Sequence, residues 1–235
     1  MQRGRGRGDA RRGAGVTPTA SAVLAAGGRG SRAGSTQPKQ FLALAGKPLF
    51  RWALEDLLAA GCRPVILVIP GELFDSAREL TSDLEAVVIV EGGPTRRDSV
   101  ARGLAEVDTE YVVVHDGARP LAGPGLIKEV LSALGGAVAA VPLVPIDETV
   151  KRKNADGIST LDRTNLYVSQ TPQAFDTEAL KDAHLKARRE EVQVKDDAEL
   201  IEMYGGKIAA VPGHRRNIKV TFPEDFDLAE SLLKP

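Results

Sequence analysis

Short, almost wholly apolar runs alternate with stretches of helical period along most of this chain. SAVLAA (21–26), PVILVIP (64–70), AVVIVEGG (86–93), YVVVHDG (111–117) and AVAAVPLVP (137–145) each read as a strand. A strand with one wet face alternates polar and apolar residues. These runs do not alternate, so both of their faces are covered. Between them, PLFRWALEDLLAAG (48–61) has a proline near its start, apolar residues at helical spacing and a glycine at its end. Further helices are expected at about 95–106 and 125–134. Strands that alternate with helices in this way predict an α/β fold: a doubly wound, mostly parallel, Rossmann-like sheet with helices on both faces. Of 235 residues, 43% are apolar, enough for a core that needs no staples. Cys62 is the only cysteine, so no intrachain disulfide is possible.

The rhythm breaks from about 146 to 168. That segment is polar, with a turn-like NADG at 154–157 between short candidate strands at ETVK and ISTL. It predicts a β-hairpin arm projecting from the main sheet. Helices at about 177–189 and 197–204, a strand at KIAAVPG (207–213) and a last helix at 223–233 complete one domain, residues 20–235. Residues 1–19 carry arginines at 3, 5, 7, 11 and 12 and have almost nothing to bury, so a disordered basic tail is expected.

Thirty-one basic and 32 acidic residues nearly cancel. A balanced chain projects no global field toward nucleic acid or anionic membrane. Aromatics are only 4% and do not interleave with the basic residues as a stacking platform would require. No run approaches the roughly 20 apolar residues that cross a bilayer, and the N-terminus lacks the apolar segment of a signal peptide. A cytoplasmic protein is expected, with neither nucleic acid nor membrane as a partner.

The loop after the first strand is AAGGRGSRAGSTQPKQF (25–41). Gly28, Gly30 and Ala33 match G-x-G-x-x-A, but Pro38 interrupts the helix that a dinucleotide fingerprint must enter at once. Gly46-Lys47 lacks the following Ser or Thr of a P-loop, because Pro48 stands there. What is left is a glycine-rich turn at the carboxyl edge of the sheet, where open α/β folds bind ligands. Its glycines let backbone approach phosphate closely. Arg32 and Lys39 add two cations seven residues apart.

These residues carry a resemblance. A-G-G-x-G-x-R-x-G-x-x-x-P-K-Q-F (26–41), G-G-x-x-R-x-D-S-V (92–100), V-H-D-G-A-R-P (114–120), T-V-K (149–151), Q-T-P-Q-A-F (170–175), D-D-A (196–198) and N-I-K-V-T (217–221) occur in order. Together they resemble the 2-C-methyl-D-erythritol 4-phosphate cytidylyltransferases of non-mevalonate isoprenoid biosynthesis. The resemblance implies a nucleotidyltransferase fold whose β-arm interlocks with a second copy, giving a homodimer. It implies transfer of CMP from CTP to methylerythritol phosphate, with Mg²⁺ held mainly by the CTP phosphates. Metal ligands in the chain are not assigned, Asp116 being the nearest candidate.

By the same resemblance, Arg32 and Lys39 contact the triphosphate, and Ala26, Gly27, Gly28 and Gly30 supply backbone contacts. Gly93 and Ser99 line the cytosine pocket, and Asp116 and Gly117 also belong to the nucleotide site. Arg163 and Lys219 position the attacking phosphate. Asp116, Arg119, Thr149 and Thr171 face the methylerythritol. Arg32, Lys39, Arg163 and Lys219 form the catalytic set. The nucleophile is a phosphate oxygen, already anionic, so no general base is required and the three histidines are expected to be structural or surface residues. The chain departs from the family pattern at Gly27, where Ala is common, at Ala33, where Met is common, at Lys195, where Thr is frequent, and at Pro94, where some members carry an acid. Two other readings share features with this one: a ribitol 5-phosphate cytidylyltransferase, and an RNA-binding protein acting through its arginine-glycine tail.

Overall fold

The computed structural model describes residues 19–28 and 38–234. The basic tail, apart from Thr19, lies outside the described residues, as do Gly30 and Arg32. Among the described residues, twelve strands and seven α-helices follow in order: β1 (Ala20–Ala25), β2 (Ala43–Leu44), β3 (Lys47–Pro48), α1 (Leu49–Ala59), β4 (Val65–Ile69), α2 (Phe74–Leu80), β5 (Val87–Glu91), α3 (Arg96–Leu104), β6 (Tyr111–Asp116), α4 (Gly123–Ser132), β7 (Ala139–Pro145), β8 (Lys151–Asn154), β9 (Gly157–Thr160), β10 (Tyr167–Ser169), β11 (Gln173–Asp176), α5 (Thr177–Arg189), α6 (Asp197–Met203), β12 (Ile208–Pro212) and α7 (Glu224–Leu233).

The main sheet runs β5-β4-β1-β6-β11-β7. β5, β4, β1 and β6 are parallel. β11 lies antiparallel between β6 and β7, so β7 runs with β6, and β12 pairs parallel to β7. β10 continues the antiparallel edge of β7. The sheet is mostly parallel, as the apolar runs required. The antiparallel insertion of β11 and the helix α2 were not legible in those runs. Gln173–Asp176 is too short to show a period, and it becomes a strand because two neighbours share its hydrogen bonds.

The side chains of the central strands divide between two cores. Leu24, Leu67, Ile69 and Val113 pack with Phe50, Leu54 and Leu57 of α1 and Ile127 and Val130 of α4. Val23, Ile66, Val68, Val112 and Val114 pack with Val100 and Leu104 of α3, Leu180 of α5 and Ile201 of α6. Consecutive residues face opposite cores, so unbroken apolar runs were needed. α3 starts where Thr95 accepts the Asp98 amide on its hydroxyl. α7 covers a third, smaller cluster around Leu44, Leu49 and Val220.

β8 and β9 form a separate two-stranded sheet whose residues are all exposed. This is the arm expected at 146–168. Its first strand begins later than ETVK suggested, and its second begins one residue before ISTL. Pairing of Asn154 with Gly157 leaves Ala155-Asp156 as the turn, and that register sets Lys151 opposite Thr160.

One half-buried carboxylate links the two helices of the first core. Asp56 of α1 accepts the Gly123 amide at the start of α4, at 2.9 Å. Burial pushes its pKa up from 3.8 to about 6, against the pull of that hydrogen bond. A folded-state pKa above the unfolded value favours the proton on folding. The stabilisation is complete below the unfolded value and is lost as pH rises through the folded one. Asp56→Asn keeps an acceptor and no charge. It should therefore stabilise the protein above about pH 6 and have no advantage below about pH 4. The ceiling is roughly 3 kcal/mol, and partial solvation reduces the expectation to about 1 kcal/mol. Thermal unfolding at pH 4 and pH 8 checks this. An equal shift at both values contradicts the assignment.

Candidate active site

The chain leaves β1, lays β4 and β5 on one side of it, and then crosses to β6 on the other side. Strand order reverses between β1 and β6. Open α/β sheets form a crevice at such a switch, beyond the carboxyl ends of the strands. Here the crevice is a cleft of about 910 Å³. Its wall includes Gly27 and Gly28 after β1, Gly92 to Thr95 after β5, Asp116 at the end of β6, and Lys39, Arg96, Ser99 and Lys219. Residues separated by nearly 200 positions thus meet at one edge.

Asp116 is the centre of its charge network. Lys219 Nζ donates to Oδ2 at 2.6 Å and Arg96 Nε donates to Oδ1 at 3.0 Å. Burial alone would raise this carboxyl, but the charges of Arg96 and Lys219 overcome it and hold the group well below the usual carboxylate range. The backbone amide of Asp116 donates to Thr171 Oγ1 at 3.1 Å, and that hydroxyl also pairs with His115 Nδ1 at 2.9 Å. Burial pushes the His115 pKa down to about 4, so the ring is neutral near pH 7. A fully buried, neutral imidazole is a structural group, as expected for the histidines. His184 is likewise buried against Asp197, whereas His214 is exposed.

The other expected site residues divide into groups. Lys39 is buried and donates from Nζ to the Val220 carbonyl at 2.6 Å, tying the first loop to the segment that carries Lys219. Ser99 Oγ accepts the Gly93 amide at 3.0 Å and fixes the turn before α3. Arg119 is buried, with Nη1 on the Asn217 carbonyl at 2.7 Å. The amides of Ala26 and Gly117 are already bonded to Val68 and Ala25 carbonyls. These two amides are therefore not free to donate to a ligand, and neither residue lines the cleft. A Cβ on Gly117 would stand 3.0 Å from that of Ala26. Thr149 and Arg163 are exposed on the arm and do not line the cleft of their own chain.

Sequence reasoning assigned no role to Arg96 or Asp197 and took His184 for a structural or surface residue. Arg96 Nη1 reaches Asp197 Oδ2 at 2.7 Å, and Asp197 Oδ1 pairs with His184 Nε2 at 3.0 Å. Its neighbour Asp196 caps α6 and also receives Gln173 Nε2 and Ser169 Oγ. Both ends of the Arg96–Asp197 pair stood in recognised motifs, at the R of R-x-D-S-V and the second D of D-D-A. Among the described residues, no group of three or more His, Cys, Asp or Glu side chains is arranged to hold a metal ion.

The fold and cleft define a doubly wound α/β protein with an open crevice between the ends of β1 and β6, the place where such sheets bind ligands. Comparison with known proteins identifies the family. A model of the 2-C-methyl-D-erythritol 4-phosphate cytidylyltransferases matches residues 20–235, and the chain belongs to that family of enzymes. It is 42% identical to the 2-C-methyl-D-erythritol 4-phosphate cytidylyltransferase of Pelotomaculum thermopropionicum, over 91% of this chain and 94% of the relative. The namesake from Cereibacter sphaeroides strain KD131 is also 42% identical, over 92% and 97% of the two chains. The crystal structure of the Thermus thermophilus enzyme superposes with a TM-score of 0.79 at 33% identity, covering 92% of this chain and 98% of that one. The 4-diphosphocytidyl-2C-methyl-D-erythritol synthase of Anaerococcus prevotii gives 0.83 at 29%, covering 93% and 97%.

Proposed function

We propose that this chain transfers CMP from CTP to 2-C-methyl-D-erythritol 4-phosphate and releases pyrophosphate. The observation that carries this reading is the meeting of Lys39, Lys219 and the charge-paired Asp116 at one cleft in a member of this family. An oxygen of the alcohol phosphate attacks the α-phosphorus of CTP. The new P–O bond forms as the bond from the α-phosphorus to the bridging oxygen breaks, and pyrophosphate leaves with the electron pair. The nucleophile carries its own charge, so the protein has to align two polyanions and neutralise them.

Lys39, with Arg32, stabilises charge building on the triphosphate. Gly27, Gly28 and Gly30 let it approach the backbone. Gly93 and Ser99 read the cytosine edge. Lys219 aims the attacking phosphate, while Asp116, Arg119 and Thr171 face the alcohol. Mg²⁺ fits a site where the substrate phosphates supply most ligands, with Asp116, Glu72 and Glu91 the carboxylates on the wall. Bound there, it would withdraw charge from the phosphates. No helix among the described residues is long and apolar enough to cross a membrane, consistent with work in the cytoplasm on soluble substrates.

The exposed arm carries Thr149 and Arg163, which the cleft of the same chain lacks. In a homodimer each arm delivers them to the partner's site. Inactive Lys39→Ala and inactive Arg163→Ala chains, when mixed and allowed to exchange, should then recover up to about a quarter of full activity. Half of the dimers are mixed, and each of those has one intact site of two. No recovery on mixing would place Arg163 in its own chain's reaction or outside the reaction altogether.

Gly93 offers a separate check on the base pocket. An added Cβ there would lie 2.5 Å from Asp98 Cβ and 3.0 Å from its carbonyl carbon, neither of which can swing away. Overpacking of this kind costs about 1–3 kcal/mol. Gly93→Ala should raise the KM for CTP by about tenfold or more and leave the KM for the alcohol phosphate nearly unchanged. A pyrophosphate-release assay across CTP, UTP, ATP and GTP, each with methylerythritol phosphate and with ribitol 5-phosphate, tests the reaction itself. Turnover only with ribitol 5-phosphate would overturn the proposed substrate.

A further inference from the structure

Arg96 stands at the first position of α3 and joins two carboxylates from distant parts of the chain. Asp116 belongs to β6 on the cleft wall. Asp197 belongs to α6 and is 1% exposed. Arg96 divides its guanidinium between them, with Nε on Asp116 and Nη1 on Asp197. The second oxygen of Asp197 is held by the buried His184 of α5. The second oxygen of Asp116 is held by Lys219, whose side chain is 45% exposed toward solvent. A continuous line of charge-assisted bonds therefore runs from α5 and α6, through α3, to the lysine in the cleft.

Burying ions in this way is costly, and a purely structural tie between α3 and α6 could be made from apolar side chains at less expense. The arrangement also leaves Arg96 Nη2 buried with no partner among the described residues. What the fork accomplishes is orientation. With Arg96 on one oxygen, Asp116 presents the other to Lys219. Arg96, Lys219, Asp116 and Asp197 sum to zero charge. Without Arg96 the group would turn net negative beside a polyphosphate site.

We propose that Arg96 is a positioning residue for the transfer reaction: anchored by Asp197, it orients the Asp116 carboxylate and thereby sets where the Lys219 ammonium stands in the cleft. This rests on the cytidylyl-transfer reading above. The role is geometric and needs the fork. A lysine ammonium at 96 restores the charge but cannot span both carboxylates.

The test uses the full chain and four variants: Arg96→Gln, Arg96→Lys, Asp197→Asn and the Arg96→Gln/Asp197→Asn double. For each, kcat and both KM values are measured with CTP and methylerythritol phosphate, and the folded fraction is followed by thermal unfolding. Misplacing a reacting group by about 1 Å costs on the order of 100-fold. Arg96→Gln and Arg96→Lys should both lose at least about tenfold in kcat, with the KM for CTP changed less than about threefold. Asp197→Asn, which does not touch the cleft, should lower kcat in the same direction. The double should be no worse than Arg96→Gln alone, because both changes break one line of contacts. Asp197→Asn is isosteric and keeps the inference testable if Arg96→Gln folds poorly.

Full rate in Arg96→Lys would show that charge alone suffices and overturns the proposal. So would additive losses, or a kcat loss equal to the unfolded fraction. A large rise in the KM for CTP at unchanged kcat would make Arg96 a direct triphosphate contact, again against the proposal. If the unaltered chain does not turn over CTP with methylerythritol phosphate, the assigned reaction fails and the positioning role falls with it. Normal turnover by the unaltered chain and by all four variants overturns the positioning role alone.

Discussion

Lys39→Ala is expected to lower kcat by about 100-fold or more, the scale for removing one preorganised stabiliser of developing charge. The residue is 9% exposed, and its ammonium is held by the Val220 carbonyl. A fixed cation needs no reorganisation when charge builds on the transferring group. Its loss should therefore appear in kcat more than in KM. The same hydrogen bond ties the first loop to the Asn217–Thr221 segment, so some stability is lost as well, about 1.5–3 kcal/mol for a bond to a charged donor. Measuring the folded fraction separates the two effects. Near-full kcat in a folded Lys39→Ala chain would remove this residue from the catalytic set.

Lys219→Ala carries the second large effect. Lys219 donates to Asp116 at 2.6 Å and extends into the cleft. Removing it takes away a cation proposed to aim the attacking phosphate. It also leaves Asp116 with Arg96 as its remaining carboxylate partner, closer to a bare negative charge facing two polyanions. Both consequences act against the reaction, and a loss of about 100-fold or more in kcat/KM for the alcohol phosphate is expected. The KM for CTP should move less. A variant whose loss falls wholly on CTP binding would reassign Lys219 to the triphosphate.

The parallel core of the fold was legible because its strands are buried on both faces. Val23 and Leu24 must both be apolar when one packs on α3 and the other on α1. The helix ends were legible from Thr95, Gly61 and the proline before Leu49. β11 was not, since a four-residue segment becomes a strand only through its two neighbours. The site was partly legible. The motifs marked Asp116, Ser99 and Lys219, and the structure brings them to one cleft. Partnership was hidden. Arg96 and Asp197 lie 101 residues apart, and no local period connects them. Nor could the sequence reveal that the amides of Ala26 and Gly117 are already spent on neighbouring carbonyls. Donor availability is a property of the folded ladder. Nor could the sequence show that Thr149 and Arg163 lie exposed on the arm, away from the cleft of their own chain.

In the proposed reaction the phosphate of the second substrate attacks the α-phosphorus of CTP. Methylerythritol phosphate labelled with ¹⁸O in its phosphate oxygens tests it most directly, with both products read by ³¹P NMR and mass spectrometry. Such an attack requires the label to be retained in the CDP-alcohol, including the oxygen that bridges its two phosphorus atoms, and to be absent from the pyrophosphate. Label in the released pyrophosphate, or a bridging oxygen that derives from CTP, would contradict it.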